Sequence, residues 1–390
     1  MSGPWRLSLG HAWHHRGRSA LIVACLALAL WLPAATRTLF ARYRDELGAR
    51  AAATPLVVGS RGNRFDLVLS ALYFRASRMQ PVPRSLAGEL AADDVLVVPL
   101  HARFTARRRP LVGVAHEYFE RRGLEAERGH LPLVVGDAVL GARVAADLGL
   151  GPGTTLTTDP VELYDIARPA ALEMNVVGVL APRGTPDDEA VFVDVKTTWA
   201  VEGYLHGHDD VREPGSLPEG FELARTEDAV AVSPALIEHQ RVTPENARDF
   251  HLHGDEGALP LSALLVFPAS AKAGTLLKAR VNEAGEWQAV VPGTVVDDLV
   301  AFVFRVKGFL DRVSVLVAIS TALFTGLVLL LSARLRQEEF RTLHAMGCGR
   351  RTVLEIAVVE VALLVAASVV LALGGVAATL RWLPDLVRTL

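Results

Sequence analysis

Residues 313–333 read VSVLVAISTALFTGLVLLLSA and residues 334–351 read RLRQEEFRTLHAMGCGRR, so an apolar run passes directly into a polar loop rich in arginine. A second apolar run, residues 352–380, follows the loop. A helix needs about 20 residues to cross the hydrocarbon core of a bilayer. Both runs are long enough, and the sequence therefore predicts two membrane-spanning helices joined by a short polar loop.

A third apolar run, residues 19–40, lies near the N-terminus, with Trp31 suited to a membrane interface. A cleaved signal peptide is the alternative, because Arg16 and Arg18 precede the run and small residues follow it. Residues 37–45 continue a helical pattern with several arginines. This continuation favours an uncleaved membrane anchor.

Positive charge in short segments predicts the orientation of the spans, because such segments stay in the cytoplasm. The N-terminal tail and the loop at 334–351 both carry clustered arginines. Three spans then place the N-terminus inside and the region between the first two spans outside. The predicted segments are a cytoplasmic tail at 1–18, transmembrane helix 1 at 19–40, an extracytoplasmic domain with stalks at 41–308, transmembrane helix 2 at 309–333, a cytoplasmic loop at 334–351, transmembrane helix 3 at 352–380 and a C-terminal tail at 381–390.

The composition is that of a membrane-anchored protein with a large polar domain. Hydrophobic residues make up 51% of the 390 residues, yet 21% are charged, with a net charge of −3. The near-neutral charge gives no indication of nucleic-acid binding. The two cysteines, Cys25 and Cys348, fall in the first span and in the loop. We therefore expect the external domain to fold without a disulfide, around its own core.

The external region alternates short apolar runs with helical patterns. Strands are expected at 56–58, 95–99, 111–114, 131–135, 154–157, 173–180, 190–193, 229–232, 262–267 and 287–291. Helices are expected at 37–53, 138–148, 233–240, 269–283 and 294–309. Residues 203–226, rich in His, Asp, Gly and Pro, predict an exposed loop. This mixture predicts an α+β domain inserted between two membrane helices.

The order of these segments resembles the FtsX/MacB/LolC-LolE class of ABC transporter permeases, the type VII ABC superfamily. The resemblance rests on the loop EFRTLHAMGCGRR at 339–351, on VLGARVAADLGLGPGTTL at 139–156 and on NVVGVLAPRGTPDDEAVFV at 175–193. It implies a MacB-like periplasmic core domain, and a multi-pass protein of the bacterial inner membrane. Members of this class usually have four spans, whereas three are expected here, so this chain is either a divergent or truncated member or has a terminal segment along the membrane surface.

The resemblance also implies the partners. Permeases of this class form dimers, so a homodimer or a related permease is expected, together with two cytoplasmic ABC ATPase subunits. The chain has no Gly-x-x-x-x-Gly-Lys-Ser/Thr motif, so ATP and magnesium would act through the ATPase and the chain itself would not be an enzyme. A periplasmic or lipoprotein partner and membrane lipids are further expected partners.

The loop at 334–351 contains the predicted ATPase-docking residues. They would form a short amphipathic coupling helix whose apolar stripe fills a groove on the ATPase, and they are Glu338, Glu339, Phe340, Arg341, Leu343, Met346 and Gly347. Glycine residues would end this helix. The alternative is a loop that packs on its own membrane helices and on lipid headgroups.

Other polar residues are weaker candidates. Glu360 lies inside the predicted third span, where it could serve a proton or substrate, or could make a polar contact between helices. Four histidines in two acidic His-x-His segments could bind a metal such as zinc, although a solvated loop has the same composition. They are His206, His208, His251 and His253.

No catalytic motif of a hydrolase is present, neither a Gly-x-Ser-x-Gly elbow nor a His-Glu-x-x-His helix. The leading hypothesis is a permease subunit that transmits ATPase motion to the periplasm. It would export or extract a lipid, lipoprotein or hydrophobic substrate, or act on an external partner by mechanotransmission. The alternative is a membrane-anchored sensor or scaffold whose external domain binds a ligand.

Overall fold

The computed structural model describes residues 3–91, 95–160, 171–207, 222–225, 230–232, 241–243, 246, 250–252, 255–335, 341–342 and 344–387. The chain forms two compact units. After the locations expected from the sequence, Met1–Glu46 with Val300–Leu390 is called the membrane unit and Leu47–Leu299 the external unit.

Apart from the helical residues 341–342 and 344–345, ten α-helices lie in the described residues. They are α1 Gly3–His14, α2 Arg16–Ala52, α3 Arg64–Tyr73, α4 Ser85–Ala91, α5 His116–Arg122, α6 Ala142–Leu148, α7 Val195–Glu202, α8 Ala271–Ala284, α9 Pro292–Leu335 and α10 Arg350–Val387. Short 3₁₀ turns lie at Pro186–Glu189 and Glu256–Ala258.

The strands of the described residues all belong to the external unit. They are β1 Leu56–Ser60, β2 Val82–Pro83, β3 Val95–Ala106, β4 Arg109–Val114, β5 Ala126–Gly129, β6 Asp137–Leu140, β7 Thr155–Thr157, β8 Glu173–Leu180, β9 Val191–Asp194, β10 Leu205–Gly207, β11 Glu222–Arg225, β12 Val230–Val232, β13 Phe250–Leu252, β14 Pro260–Leu261, β15 Ala263–Pro268 and β16 Trp287–Val290.

Two helices are long and apolar enough to cross a membrane among the described residues. The candidate spans are Arg16–Leu39 in α2 and Leu354–Arg381 in α10, and α9 contains a shorter apolar stretch, Val315–Leu327. Helix α10 continues to Val387, so the described part of the predicted C-terminal tail is helical.

The external unit is built on one mixed sheet. Its strand order is β16-β1-β15-β3-β4-β9-β6-β8-β5, and β7 also pairs with β8. Most neighbours are antiparallel, but β4 and β9 run parallel, with Val114 opposite Asp194. The predicted α+β fold class is confirmed.

Helices cover both faces of the sheet near β9. Val191 and Val193 point to one face, where they form a buried cluster with Ala200 and Val201 of α7. Phe192 points to the other face because side chains alternate along a strand. There its ring lies 5.6 Å from that of Tyr118 in α5. The helices that follow the parallel strands β4 and β9 therefore pack on opposite faces.

Local capping fixes where the helices begin. The Asn63 side chain accepts a hydrogen bond from the Phe65 N–H at the start of α3. Asp194 does the same for the Lys196 N–H at the start of α7, and Ser270 for the Ala273 N–H at the start of α8. Each side chain satisfies a backbone donor that the first turn of a helix leaves unpaired.

The expected loop at 203–226 is wrong in part, because it contains the strands β10 and β11. The helix expected at 233–240 lies outside the described residues. Two further predicted elements are wrong. Residues 131–135 form a loop rather than a strand, because the N–H groups of Leu133 and Val134 both donate to the Asp137 side chain. The predicted helix at 138–148 begins only at Ala142, because residues 137–140 form β6 between β8 and β9. In both segments, side-chain hydrogen bonds and sheet pairing override the local secondary-structure propensity.

Candidate functional site

The C-terminal end of α2 carries a buried arginine that joins four separate segments of the external unit. Arg50 makes a bidentate ion pair with Asp187, at 2.5 Å from Nη1 to Oδ2 and 2.9 Å from Nη2 to Oδ1. Its Nε donates to the Leu72 carbonyl at the end of α3. Its Nη2 also donates to the Tyr118 hydroxyl in α5, at 2.9 Å. We call Arg50, Tyr118 and Asp187 the anchor cluster.

The Asp187 carboxylate of the anchor cluster also accepts hydrogen bonds from hydroxyl groups. The Tyr118 hydroxyl donates to Asp187 Oδ1 at 2.7 Å, and Thr185 donates to Oδ2 at 3.0 Å. The side chains of Arg50 and Asp187 are only 5% and 2% exposed. A bidentate arginine–carboxylate pair fixes direction as well as distance. The end of α2 is therefore held in one geometry.

Neighbouring side chains extend the cluster. Arg122 donates to the Thr54 hydroxyl at 2.8 Å, and its guanidinium lies 5.7 Å from the centre of the Tyr118 ring. The Phe74 ring lies 5.3 Å from the Arg50 guanidinium. These aromatic faces are favourable neighbours for the planar guanidinium groups. For Arg122 these contacts do not offset burial, which lowers the pKa of its guanidinium.

At neutral pH, the three titratable groups of the cluster stabilise one another's protonation states. Burial opposes the charge of Asp187, but hydrogen bonding and charge from Arg50 hold the pKa of its carboxyl below the usual value. Burial and the nearby Asp187 charge raise the pKa of Tyr118. Burial likewise opposes the charge of Arg50, but Tyr118 and Asp187 raise its pKa. Arg50 and Asp187 are therefore ionised, and Tyr118 is protonated.

In the membrane unit, the first turn of α2 carries a second arginine–carboxylate pair. Arg18 Nη2 donates to Glu360 Oε1 of α10 at 3.0 Å. His11 of α1 approaches the same oxygen at 3.6 Å, and Ser8 of α1 donates to the Ile356 carbonyl at 2.9 Å. The predicted intramembrane residue Glu360 is thus held in a polar contact that joins three helices.

Helices α2 and α10 also meet further along. The Trp31 indole donates to the Thr379 hydroxyl at 3.1 Å. A Cβ at Gly375 would lie 2.8 Å from the Trp31 ring, so this glycine allows the close approach. Arg18 pairs with Glu360 and Trp31 with Thr379, so the chain runs in the same direction in both helices.

Only part of the predicted docking loop lies within the described residues. Arg341 and Thr342 are helical, as are His344 and Ala345, and the chain turns at Gly347 with a φ of 96°. The Met346 N–H donates to the Thr342 carbonyl at 3.0 Å, and the Met346 side chain is 71% exposed. Glu338, Glu339, Phe340 and Leu343 lie outside the described residues.

Only some of the candidate metal ligands lie within the described residues. His206 faces His251 in the register of β10 and β13, whereas His208 and His253 lie outside the described residues. Among the described residues, no group of three His, Cys, Asp or Glu side chains could hold a metal ion.

Sequence reasoning missed the anchor cluster. Arg50 and Asp187 lie 137 residues apart, and each sits among other charged residues that a surface would also carry. The one local signal is Gly141, where a Cβ would lie 2.3 Å from the Asp187 carbonyl oxygen. That glycine stands in the stretch that carries the family resemblance, but its contact with Asp187 depends on the fold.

Comparisons with known proteins agree with the membrane part of this description. Residues 313–388 match the family model described as FtsX-like permease C-terminal. No curated protein matches the chain. The chain is similar to the solved periplasmic region of MacB from Actinobacillus actinomycetemcomitans, with 11% identity, 65% of this chain and 97% of that chain covered, and a TM-score of 0.37.

A second solved structure is the extracellular domain of the noncanonic ABC-type transporter YknZ from Gram-positive bacteria. The chain is 11% identical to it, with 60% of this chain and 98% of that chain covered and a TM-score of 0.34. The family match shows that residues 313–388 are similar to the C-terminal part of FtsX-like permeases.

Proposed function

We propose that this chain couples ATP hydrolysis in a separate ATPase subunit to movement of its external unit, from the bacterial inner membrane. The movement would export or extract a lipid, lipoprotein or hydrophobic substrate, or act on a periplasmic partner. The observation that supports this most directly is the anchor cluster, because it fixes the end of a membrane helix into the core of the external unit.

The anchor is costly to break. Removing one partner of a buried ion pair destabilises a protein by about 3–5 kcal/mol, because the other charge is left buried and unpaired. Helix α2 contains the candidate span Arg16–Leu39 and continues as one helix, with Pro33 inside it, to Ala52. A displacement of the end of α2 would therefore act on the Asp187 turn and on α5.

The parallel course of α2 and α10 supports the proposed orientation. Both helices begin with arginines, at Arg16 and Arg18 in α2 and at Arg350 and Arg351 in α10. Since short basic segments remain in the cytoplasm, both starts would lie inside. The loop before α10 would then face the ATPase, and the external unit the periplasm.

Within that loop, Met346 is the described side chain best suited to docking. It is apolar and exposed, and it directly precedes the turn at Gly347. An exposed methionine adapts its shape to a partner groove. ATP and Mg²⁺ would bind in the partner, and the permease would work as a homodimer or beside a related permease.

Co-expression with the ABC ATPase encoded beside this reading frame tests the docking. We expect the full chain to copurify with the ATPase and the variant M346D, alone or with F340D, to lose it. The conservative variant M346L is the matched control and should retain the ATPase. Copurification with both aspartate variants unchanged would overturn the docking assignment.

A further inference from the structure

A cavity of about 400 Å³ opens in the external unit, apart from the anchor cluster. Its walls come from α4, from the ends of β4 and β9, from α7 and from β14. The residues that matter are Arg84, Gly88, Asp194, Lys196, Trp199 and Leu261. Ligand pockets for small molecules begin at roughly this size, about 300 Å³.

The topology places this cavity where sheets bind ligands. Strands β4 and β9 are parallel neighbours, and both end at this edge of the sheet. The chain leaves β4 through Ala115 into α5 on the Phe192 face, and leaves β9 through Val195 into α7 on the opposite face. In sheets with parallel strands, a crevice forms outside the carboxyl ends where the connections depart to opposite faces. Ala115 and Val195 both line the cavity.

The floor of the cavity is apolar and rigid. Trp199 and Leu261 are buried, and the Trp199 indole donates to the Pro260 carbonyl at 2.8 Å, which fixes the ring. Since an apolar group gains free energy when it leaves water for such a surface, this floor suits a short hydrocarbon chain.

The polar groups at the rim are mostly cationic. Lys196 and Arg84 lie on different walls, and the Arg84 side chain is 47% exposed in a pair with Glu256 on the surface. Asp194 is the one acid among the lining residues, and its Oδ1 already accepts the Lys196 N–H at 2.8 Å as the cap of α7. An exposed pair such as that of Arg84 is weak. An anion would therefore bind Lys196 and compete with Glu256 for Arg84.

We propose that this cavity binds an amphiphilic organic monoanion, with its charge between Arg84 and Lys196 and its hydrocarbon part against the accessible edge of Trp199. This goes beyond the proposed coupling function, because it assigns a soluble ligand to the external unit. Occupation would join α4 to α7 across the edge of the sheet.

Fluorine NMR of the full chain in nanodiscs tests the proposal. The chain is labelled with 5-fluorotryptophan, and the Trp199 resonance is identified by its loss in W199F. Hexanoate is the probe, and hexylamine and hexan-1-ol are matched probes of the same chain length. We expect hexanoate to shift the Trp199 resonance saturably, and the amine and the alcohol to bind more weakly.

Variants of the lining separate the cavity from the bilayer. Gly88 lines the cavity and an added Cβ there meets no heavy atom within 4 Å, so G88L should narrow the cavity and abolish the shift. R84Q and K196Q should each weaken hexanoate roughly threefold to fivefold, as expected for partly exposed charges. D194N keeps a capping oxygen but removes the negative charge, so it should strengthen hexanoate binding and weaken hexylamine binding. K272Q, on the exposed side of α8, should change nothing.

Three results would each overturn the proposal. The first is a Trp199 resonance that does not move with hexanoate. The second is an equal response to hexanoate and hexylamine, which would show that the cations do not select the ligand. The third is a response that G88L leaves intact, which would show partition into the bilayer alone.

Discussion

Helix α2 carries an arginine–carboxylate pair near each end, and the two pairs are built differently. Arg50 meets Asp187 with two hydrogen bonds and shares it with Tyr118. Arg18 meets Glu360 with one, and its side chain is 27% exposed against 5% for Arg50. Two directed bonds fix an orientation, whereas one permits rotation. The difference indicates that α2 is fixed at Arg50, here called the outer pair, and is less constrained at Arg18, the inner pair, as the proposed transmission of motion would require.

Removing Arg50 should have the largest effect. R50A leaves Asp187 buried without its partner, so we expect the external unit to lose about 3–5 kcal/mol of unfolding free energy. Urea unfolding in nanodiscs, followed by tryptophan fluorescence of the external unit, measures this loss. The matched control is R64A, because Arg64 pairs with Asp298 at 3.0 Å but both side chains are about half exposed. That exposed pair should contribute less than about 1 kcal/mol.

Replacing both members of the outer pair tests why R50A is destabilised. The cause is either the lost contact or the charge of Asp187 that is left unpaired. R50M/D187L removes both charges and refills the site with apolar volume, so most of the stability lost in R50A should return. A double variant as unstable as R50A would contradict this explanation of the outer pair.

Removing Arg18 from the inner pair should lower the unfolding free energy less than R50A does. R18M removes the hydrogen bond that Arg18 donates to Glu360, and we expect a loss of about 1–3 kcal/mol from the membrane unit, because one charged hydrogen bond is lost rather than a bidentate pair. Unfolding in mixed micelles measures it. E360Q keeps an acceptor for Arg18 and should have the smaller effect. A larger loss of unfolding free energy in R18M than in R50A would contradict the proposed difference between the two ends of α2.

The acid side of the pH profile reports Asp187. Its pKa is lower in the folded chain than in the unfolded chain, so its contribution is complete above the unfolded value and declines as the pH falls through the folded value. Urea midpoints of the external unit should therefore fall below about pH 4, the ordinary range of an aspartate. D187N should be less stable at neutral pH but should lack this component of the decline. Parallel acid profiles for D187N and the parent chain would contradict the assignment.

The alkaline side reports Tyr118 and should give the smallest effect. Its pKa is raised on folding, so its contribution is complete below the unfolded value, about pH 10, and declines as the pH rises further. Y118F loses hydrogen bonds worth about 0.5–1.5 kcal/mol at neutral pH. It should also lose the alkaline decline that Tyr118 causes. A Y118F profile that declines as steeply as that of the parent chain would show that another group is responsible.

The sequence predicted much of the fold because many external strands are short runs of β-branched and apolar residues. β8 at Glu173–Leu180 and β15 at Ala263–Pro268 lie where such runs predict them. It did not predict α5 or α7, since helices of seven or eight residues depend on packing and caps more than on periodicity. The anchor cluster could not be predicted from the sequence, because the pairing of Arg50 with Asp187 follows from the arrangement of four segments.

Uncoupling the two ends of α2 tests the central claim most directly. A Gly-Gly-Ser insertion after Asp45 interrupts the helix between the candidate span and Arg50, yet leaves both pairs in place. Hydrogen exchange of the Asp187 turn and α5 is compared with and without ATP, in the chain bound to its ATPase. The same insertion in the β3–β4 turn at Arg107 is the control.

We expect ATP to change this exchange in the parent chain and in the control. The α2 insertion should keep the ATPase bound and hydrolysing but lose most of the ATP-dependent change. An unchanged ATP response in the α2 insertion would show that α2 and its anchor do not carry the motion.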